Sequence, residues 1–208
     1  MSLVMACDYT VRDFDRWWRT TEGGRALLRR LGAHHFVVYR SVEEPNRIFV
    51  TLGLSSSELV HELLRSGEFL TWFDAAGVEE IPPLFMGRLI EKLRYVEAGG
   101  ASGEALAPGS VIIARIMPIE DLGRFLSVVH ARRDRLVAAG CRQYWIYQAM
   151  DDPGEVMTLQ EVDSLQHATE GLRIAVKEFY DRAGVGIYPN AFVGKLVDVV
   201  EIEPAAEE

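Results

Sequence analysis

The sequence lacks the short motifs that identify several large enzyme classes. It contains no glycine-rich phosphate loop, no dinucleotide-binding glycine fingerprint, no Cys-x-x-Cys, no His-Glu-x-x-His and no Gly-x-Ser-x-Gly. Each of these motifs holds a phosphate, a cofactor, a metal or a nucleophile in a fixed geometry. Their absence argues against nucleotide hydrolysis, dinucleotide-dependent redox chemistry, zinc proteolysis and serine hydrolysis of the familiar kinds.

The chain is also poor in residues that bind metals or form disulfides. It has two cysteines and five histidines, and Cys7 and Cys141 do not occupy corresponding positions of the repeat described below. His34 and His35 are neighbours in a predicted strand, where successive side chains point to opposite faces, so the two are not expected to bind one metal together. We therefore expect no disulfide framework, no metal and no cofactor.

Long apolar runs and an excess of positive charge are missing as well. No apolar segment is long enough to span a bilayer, and no charged segment followed by an apolar one marks a signal peptide. The net charge of −9 argues against a nucleic-acid partner, because the phosphate backbone repels an acidic surface. These features predict a cytoplasmic protein with neither nucleic acid nor membrane as its partner.

What the sequence does contain is a long internal repeat. The segment VVYRSVEEPNRIFV around Tyr39 returns as WIYQAMDDPGEVMT around Tyr147, at an offset of 108 residues. Later, Ala76-Gly77-Val78 matches Ala183-Gly184-Val185 at an offset of 107. A period this long indicates a duplicated small domain, because a solenoid unit is much shorter.

Each copy is predicted to have the order β-α-β-β-α-β. Alternating or β-branched runs predict strands at 3–9, 35–40, 47–54 and 84–95, and again at 111–117, 143–149, 155–162 and 192–202. Thr10-x-x-Asp13 resembles a capping box at the start of the first helix. A segment rich in Gly, Ala and Ser separates the copies. We therefore predict a first domain at 1–96, a linker at 97–110 and a second domain at 111–203.

A β-α-β-β-α-β unit is the ferredoxin-like arrangement, with both helices on one face of an antiparallel sheet. The other face is too apolar to remain in water, and two such sheets bury it by packing face to face. The predicted fold is thus α+β: two tandem ferredoxin-like repeats packed sheet to sheet as a pseudo-dimeric α+β barrel.

The repeated pattern resembles a known group of proteins. Its elements are Gly-Ala or Gly-Cys, then His or Gln and Tyr, an acidic-acidic-Pro turn, and Ala-Gly-Val after the last helix. The whole chain is similar to the dimeric α+β barrel superfamily, and within it to antibiotic-biosynthesis-monooxygenase-like proteins, as a fused two-domain version. The Asn, Trp and His set of haem-degrading members is not evident, since Asp8 stands where such a member would have Asn.

Differences between the copies indicate where a one-sided site could lie. His35 matches Gln143, Val37 matches Trp145 and Cys7 matches Arg115, whereas Tyr39 and Tyr147 are retained. We assign the more apolar strand faces to the helices. The other faces then line the barrel interior, with the side chains of His35, Tyr39, Gln143, Trp145 and Tyr147. Arg115 is a candidate addition to this interior as an anion-binding residue, and the alternative for it is a salt bridge at the end of its strand.

Such an interior suits a planar or aromatic ligand with a few oxygens. The resemblance implies a cofactor-independent monooxygenase acting on a phenolic or quinol-type substrate, with His35 as general base and the other five residues as substrate contacts. The alternatives are a non-catalytic ligand-binding or stress-response barrel and a fold kept for structure alone. The chain is expected to be a monomeric pseudo-dimer or a homodimer of it, and the sequence leaves open whether it is an enzyme.

Overall fold

A computed structural model describes residues 3–95, 109–173, 176–185 and 190–203. The predicted linker lies outside these ranges except for its last two residues. In the first half the elements are β1 Leu3–Thr10, α1 Phe14–Gly23, α2 Arg25–Arg30, β2 Ala33–Ser41, β3 Arg47–Leu54, α3 Glu58–Ser66, α4 Glu68–Ala76 and β4 Phe85–Arg94.

The second half has the same element order. Its elements are β5 Val111–Pro118, α5 Leu122–Ala131, α6 Arg133–Ala138, β6 Cys141–Ala149, β7 Glu155–Val162, α7 Leu165–Arg173, α8 Val176–Ala183 and β8 Phe192–Glu201. The strands begin and end close to their predicted positions. No helix of the described ranges is long and apolar enough to cross a membrane.

Within the described ranges, three predicted helices are divided in two by a local break, at Gly24, Gly67 and Arg132. Gly67 separates α3 from α4 with a φ of 73°, a left-handed conformation that glycine adopts without steric cost. The first helix starts later than the capping-box pattern suggests. Asp13 has an extended backbone and accepts a hydrogen bond from the amide of Arg16 at 2.6 Å, so Asp13 and not Thr10 is the N-cap.

Within the first unit the strands are hydrogen-bonded in the order β1-β3-β2, and within the second in the order β8-β5-β7-β6-β4. The fold is therefore mixed α+β. The chain divides into two compact units. The first contains Met1–Met86 and Val197–Glu208, and the second contains Gly87–Leu196. The ferredoxin-like character of each predicted domain and their sheet-to-sheet packing remain predictions, as do the domain limits.

In the first unit, the face of β2 that carries Phe36 and Val38 packs against the helices, with Trp17 of α1 fully buried in the same cluster. In the second unit, Tyr144 and Ile146 of β6 pack in the same way against Phe125 of α5. These are the faces that the sequence assigns to the helices. We call the opposite side of each sheet the helix-free face; it carries His35, Val37 and Tyr39 in the first unit and Gln143, Trp145 and Tyr147 in the second.

Candidate functional site

His34 and His35 form a paired unit at the start of β2. The pairing of β2 with β3 shifts register between Ala33 and His35, so that His34 is the extra residue of a β-bulge. The two ring centroids are 4.5 Å apart and the Nδ1 atoms are 2.8 Å apart. The expectation that these neighbours point to opposite faces is therefore wrong, because a bulge interrupts the strand alternation on which it rested.

Gly53 of β3 makes room for this pair. A Cβ atom at this position would lie 2.1 Å from Cε1 of His35 and 2.5 Å from Cε1 of His34. Both distances are far inside van der Waals contact, so a side chain at position 53 would displace a ring. The histidine pair and the glycine are thus one local arrangement, formed by two adjacent strands of the first unit.

The environment of His35 favours the neutral imidazole. Burial lowers the pKa of His35 below its ordinary value of 6.5, and His34 lowers it further, while Glu201 acts in the opposite direction. The short Nδ1–Nδ1 contact requires one ring to donate and the other to accept. A half-buried imidazole that is neutral at neutral pH is able to accept a proton.

The second unit has a different polar group at the matching positions. Position 53 corresponds to Glu161 and position 35 to Gln143. Glu161 is only 6% exposed, yet both of its oxygens are hydrogen-bonded. Ser110 Oγ donates to Oε1 at 3.0 Å and Gln143 Nε2 donates to Oε2 at 3.1 Å. An ionised carboxylate only accepts hydrogen bonds, so the nitrogen of the Gln143 amide faces Glu161 and its oxygen is directed elsewhere.

An aromatic and a cationic side chain lie beside this group. Lys92 of β4 is the strand partner of Trp145, and its Nζ lies 5.2 Å from the centroid of the indole ring. Burial lowers the pKa of Lys92, as does Arg94, while the carboxylate of Glu161 acts in the opposite direction. Trp145 is half-buried. Together these residues offer a flat apolar surface with acceptor and donor groups at its edge.

The two retained tyrosines differ in exposure. Tyr39 is 2% exposed, and its ring centroid lies 6.3 Å from that of Phe49, its partner on β3. Tyr147 is half-buried, and burial raises the pKa of its phenol to about 12. The phenol of Tyr147 therefore stays protonated at neutral pH. Both tyrosines lie on the helix-free face of their own sheet, as the sequence predicts.

Arg115 does not belong to this face, and its predicted position in the barrel interior is wrong. It lies on the same face of β5 as Ile113 and Met117, which pack in the helix-facing clusters of the second unit. Its side chain is hydrogen-bonded to Tyr180 of α8 and lowers the pKa of Tyr144, against the larger effect of burial. Arg115 is 8% exposed and lies beneath the helices.

Sequence reasoning missed Gly53, Glu161 and Lys92. The signal for the first two was present, because a glycine in one copy and a carboxylate in the other stand at matching positions of an otherwise apolar strand. Lys92 gave no such signal, since Arg88, Glu91 and Arg94 are charged residues of the same strand and Lys92 does not differ from them in sequence. Asp8, where the haem-degrading pattern would have Asn, is held by two hydrogen bonds from Arg47 at 2.7 and 2.9 Å.

The histidines of the described residues do not fit haem ligation well. Nδ1 of His35 is committed to His34, and the Nδ1–Cε1 edge of its ring lies over Gly53. His130 contacts both oxygens of Glu91 at 2.9 Å, and His167 packs against Gly140, where a Cβ atom would lie 2.4 Å from its Nδ1. A proximal histidine needs one nitrogen directed at the iron and an open apolar face beside it. We therefore derive no step through haem.

Comparison with known proteins gives a fold but not an activity. No protein-family model and no curated protein matches the sequence. An anthrone oxidase-like protein has 14% identity and a TM-score of 0.72, with 99% of this chain and 97% of that chain covered. A variant of the chlorite dismutase from Candidatus Nitrospira defluvii has 14% identity, a TM-score of 0.60 and coverage of 95% and 92%.

The heme-degrading enzyme of Listeria monocytogenes is a third similar structure. It has 8% identity and a TM-score of 0.53, with 93% of this chain and 98% of that chain covered. The three structures are named for different reactions, so their shared feature is the fold. All three are dimeric α+β barrel proteins, and this chain has the fold of the dimeric α+β barrel superfamily.

Proposed function

We propose that the protein oxidises a planar phenolic compound with dioxygen, without a bound cofactor, and that His35 accepts the phenolic proton. The observation that carries the proposal is the His34–His35 pair over Gly53. It places a neutral, half-buried imidazole on the helix-free face, in the same strand as Tyr39. The similarity in fold to an anthrone oxidase-like protein is consistent with this substrate class.

The proposed reaction needs only the substrate, dioxygen and a base. His35 takes the proton of the phenol, and the phenolate donates electrons to dioxygen through the ring carbon opposite its oxygen, where a C–O bond forms. The hydrogen on that carbon then leaves as a proton, the O–O bond breaks and water departs. One phenol and one dioxygen give one quinone and one water, so the atoms and electrons balance.

Oxygen uptake with a hydroxylated anthrone, which has a phenolic tautomer, tests the proposal. We expect His35→Gln to lower the rate by about 100-fold or more, the usual contribution of a general base. Gln is the residue that the second half carries at this position. The exposed histidine of α3 gives the matched control, because His61→Gln changes the same chemistry away from the site and should leave the rate unchanged.

The pH profile is a second readout of the same prediction. Because the pKa of His35 is lowered below its ordinary value of 6.5, its neutral form predominates at pH 7, and the rate should fall only as the pH drops below 6.5. An inflection above pH 6.5, a rate equal in His35→Gln, or no uptake by the wild-type protein would each remove the mechanism.

Ligand binding without a reaction is the alternative, and the second unit favours it. The Gln143 oxygen and the Trp145 ring suit an aromatic molecule that presents a hydroxyl group, as would Tyr147 beside them on the same strand. Titration under nitrogen with a hydroxyanthraquinone and with its methyl ether would detect this. Weaker binding of the ether, without oxygen uptake by any phenol, would support the alternative over the oxygenase.

A further inference from the structure

The first unit has a small cavity on the side of its sheet that faces the helices. It is lined by β1, β2 and β3 from below and by α1, α2 and α4 from above. Its volume of about 20 Å³ exceeds the roughly 10–15 Å³ that one water molecule needs. The cavity lies on the face of the sheet opposite to His35, so it is separate from the proposed oxidation site.

The lining offers little to a water molecule. Almost all of it is apolar, with Met5, Leu28, Val50 and Phe73 among the contributing side chains. The hydroxyl of Thr21 already donates to the carbonyl of Trp17 at 2.9 Å. The thiol of Cys7 is fully buried and has its pKa raised to about 12, so it is an uncharged and weak hydrogen-bonding group. A buried water usually needs two to four polar partners, so this cavity suits an apolar occupant.

The second half of the chain shows that the fold does not require this composition. Five side chains around the cavity come from positions whose counterparts in the second half are polar. Cys7, Phe36, Val50, Leu52 and Phe73 correspond to Arg115, Tyr144, Thr158, Gln160 and Tyr180.

The strand registers confirm that these positions are equivalent. Cys7 is opposite Val50 as Arg115 is opposite Thr158, and Phe36 is opposite Leu52 as Tyr144 is opposite Gln160. In the second unit, the side chain of Arg115 is hydrogen-bonded to Tyr180 and also lowers the pKa of Tyr144. The guanidinium group and these two phenols therefore lie between sheet and helices, where the corresponding side chains of the first unit are apolar. The apolar composition of the first unit is therefore a property of that unit alone.

We propose that this cavity is a binding site for one small apolar molecule of the size of dioxygen. A molecule of more than a few heavy atoms does not fit the volume, and charged or strongly polar ones would lose hydrogen bonds on entry. Trp72 of α4 and Leu27 of α2 line the cavity and are only partly buried, so these two residues connect its lining with the surface. A role in supplying dioxygen rests on the proposed oxidation, whereas the binding itself does not.

Xenon is the probe, because it is a single apolar atom that binds in dry apolar cavities. Met5 lines the cavity, and the ε-methyl signals of the buried Met117 and Met157 in the second unit are internal references. In ¹³C-methyl spectra recorded under rising xenon pressure, we expect the Met5 signal to shift and saturate. The two reference signals should show only the small linear drift of non-specific contact.

Two cysteine substitutions form a matched pair. Cys7→Met fills the cavity, and we expect at least a 10-fold loss of the saturable Met5 shift. Cys141→Met makes the same change at a buried cysteine that does not line the cavity, and the Met5 response should persist. Val50→Ile, which adds one methylene group to the lining, repeats the filling test if Cys7→Met does not fold.

The outcomes decide the proposal without reference to catalysis. A wild-type Met5 signal that does not saturate, or a response that survives both filling substitutions, would overturn it. Oxygen-uptake assays on the same variants are separate. Their failure would count against the proposed function and not against the cavity.

Discussion

At the scale of single residues, Gly53 is the position on which the histidine pair depends. Its side-chain hydrogen lies where a Cβ atom would overlap both rings. The backbone there is extended, next to the last residue of β3, so the requirement is one of space and not of an unusual φ. The pair and the glycine should therefore be coupled energetically, and neither should tolerate change without the other.

We predict that Gly53→Ala lowers the free energy of unfolding by about 1–3 kcal/mol, because overpacking forces the rings of His34 and His35 to move. Chemical denaturation measures the change. Gly23→Ala is the control, since nothing lies within 4 Å of a Cβ at that helical position. That variant should be neutral or more stable by up to about 1 kcal/mol.

The coupling itself is tested in a double variant. Removing the ring in His35→Ala should restore much of what Gly53→Ala loses, giving a coupling free energy of at least about 0.5 kcal/mol. Strict additivity of the two substitutions would show that the steric contact is not the cause of the destabilisation.

The sequence predicts some of these residues and not others, for a physical reason. In β2, the alternation of His35, Val37 and Tyr39 with Phe36 and Val38 separates the two faces, and the structure agrees. In β5 both faces are apolar, so alternation carries no information, and Arg115 was assigned to the wrong side. When both faces of a strand are buried, only the contacts of a side chain show which face carries it. For Arg115 that contact is Tyr180 of α8.

At the scale of elements, strands were easier to predict than the irregularities within them. Both halves have a bulge at the start of their second strand, between Ala33 and His35 and between Cys141 and Gln143. A bulge inserts one residue without changing composition, so a hydrophobic pattern does not reveal it. Each bulge directly precedes a position at which the two halves differ, His35 in the first and Gln143 in the second.

Helix starts repeat as closely as the bulges do. Asp13 and Asp121 have φ angles of −151° and −152°, and each accepts a hydrogen bond from the amide three residues later at 2.6 Å. We predict that Asp13→Ala and Asp121→Ala each reduce stability by about 1 kcal/mol in urea denaturation, because a helix amide loses its partner.

Asparagine provides the control for both caps, since its side-chain oxygen accepts the same hydrogen bond. Asp13→Asn and Asp121→Asn should retain most of the stability. Equal losses for Asn and Ala would mean that the charge of the carboxylate, acting on the helix dipole, outweighs the hydrogen bond.

At the scale of the whole molecule, sequence repeats and compact units do not coincide. Phe192–Leu196 of β8 belongs to the second unit. There the carbonyl of Leu196 accepts a hydrogen bond from the amide of Gly109 at 2.9 Å, and its amide donates to the carbonyl of Ser110 at 2.8 Å. Val197 and the residues after it count with the first unit, where the amide of Ile202 donates to the carbonyl of His34 at 3.0 Å. A repeat pattern in sequence identifies duplication, but it does not reveal which strands share contacts.

Leu196 and Ile202 therefore provide a test of the division, because they are six residues apart and both buried. Either residue replaced by Ala should cost about 2–5 kcal/mol. In hydrogen-exchange measurements, Ile202→Ala should speed exchange mainly at amides of β2 and β3, since Ile202 packs in the core of the first unit. Leu196→Ala should act mainly on β5 and β7. If both substitutions accelerated all four strands equally, the chain would open as one cooperative unit, and its two compact units would not be separate foldons.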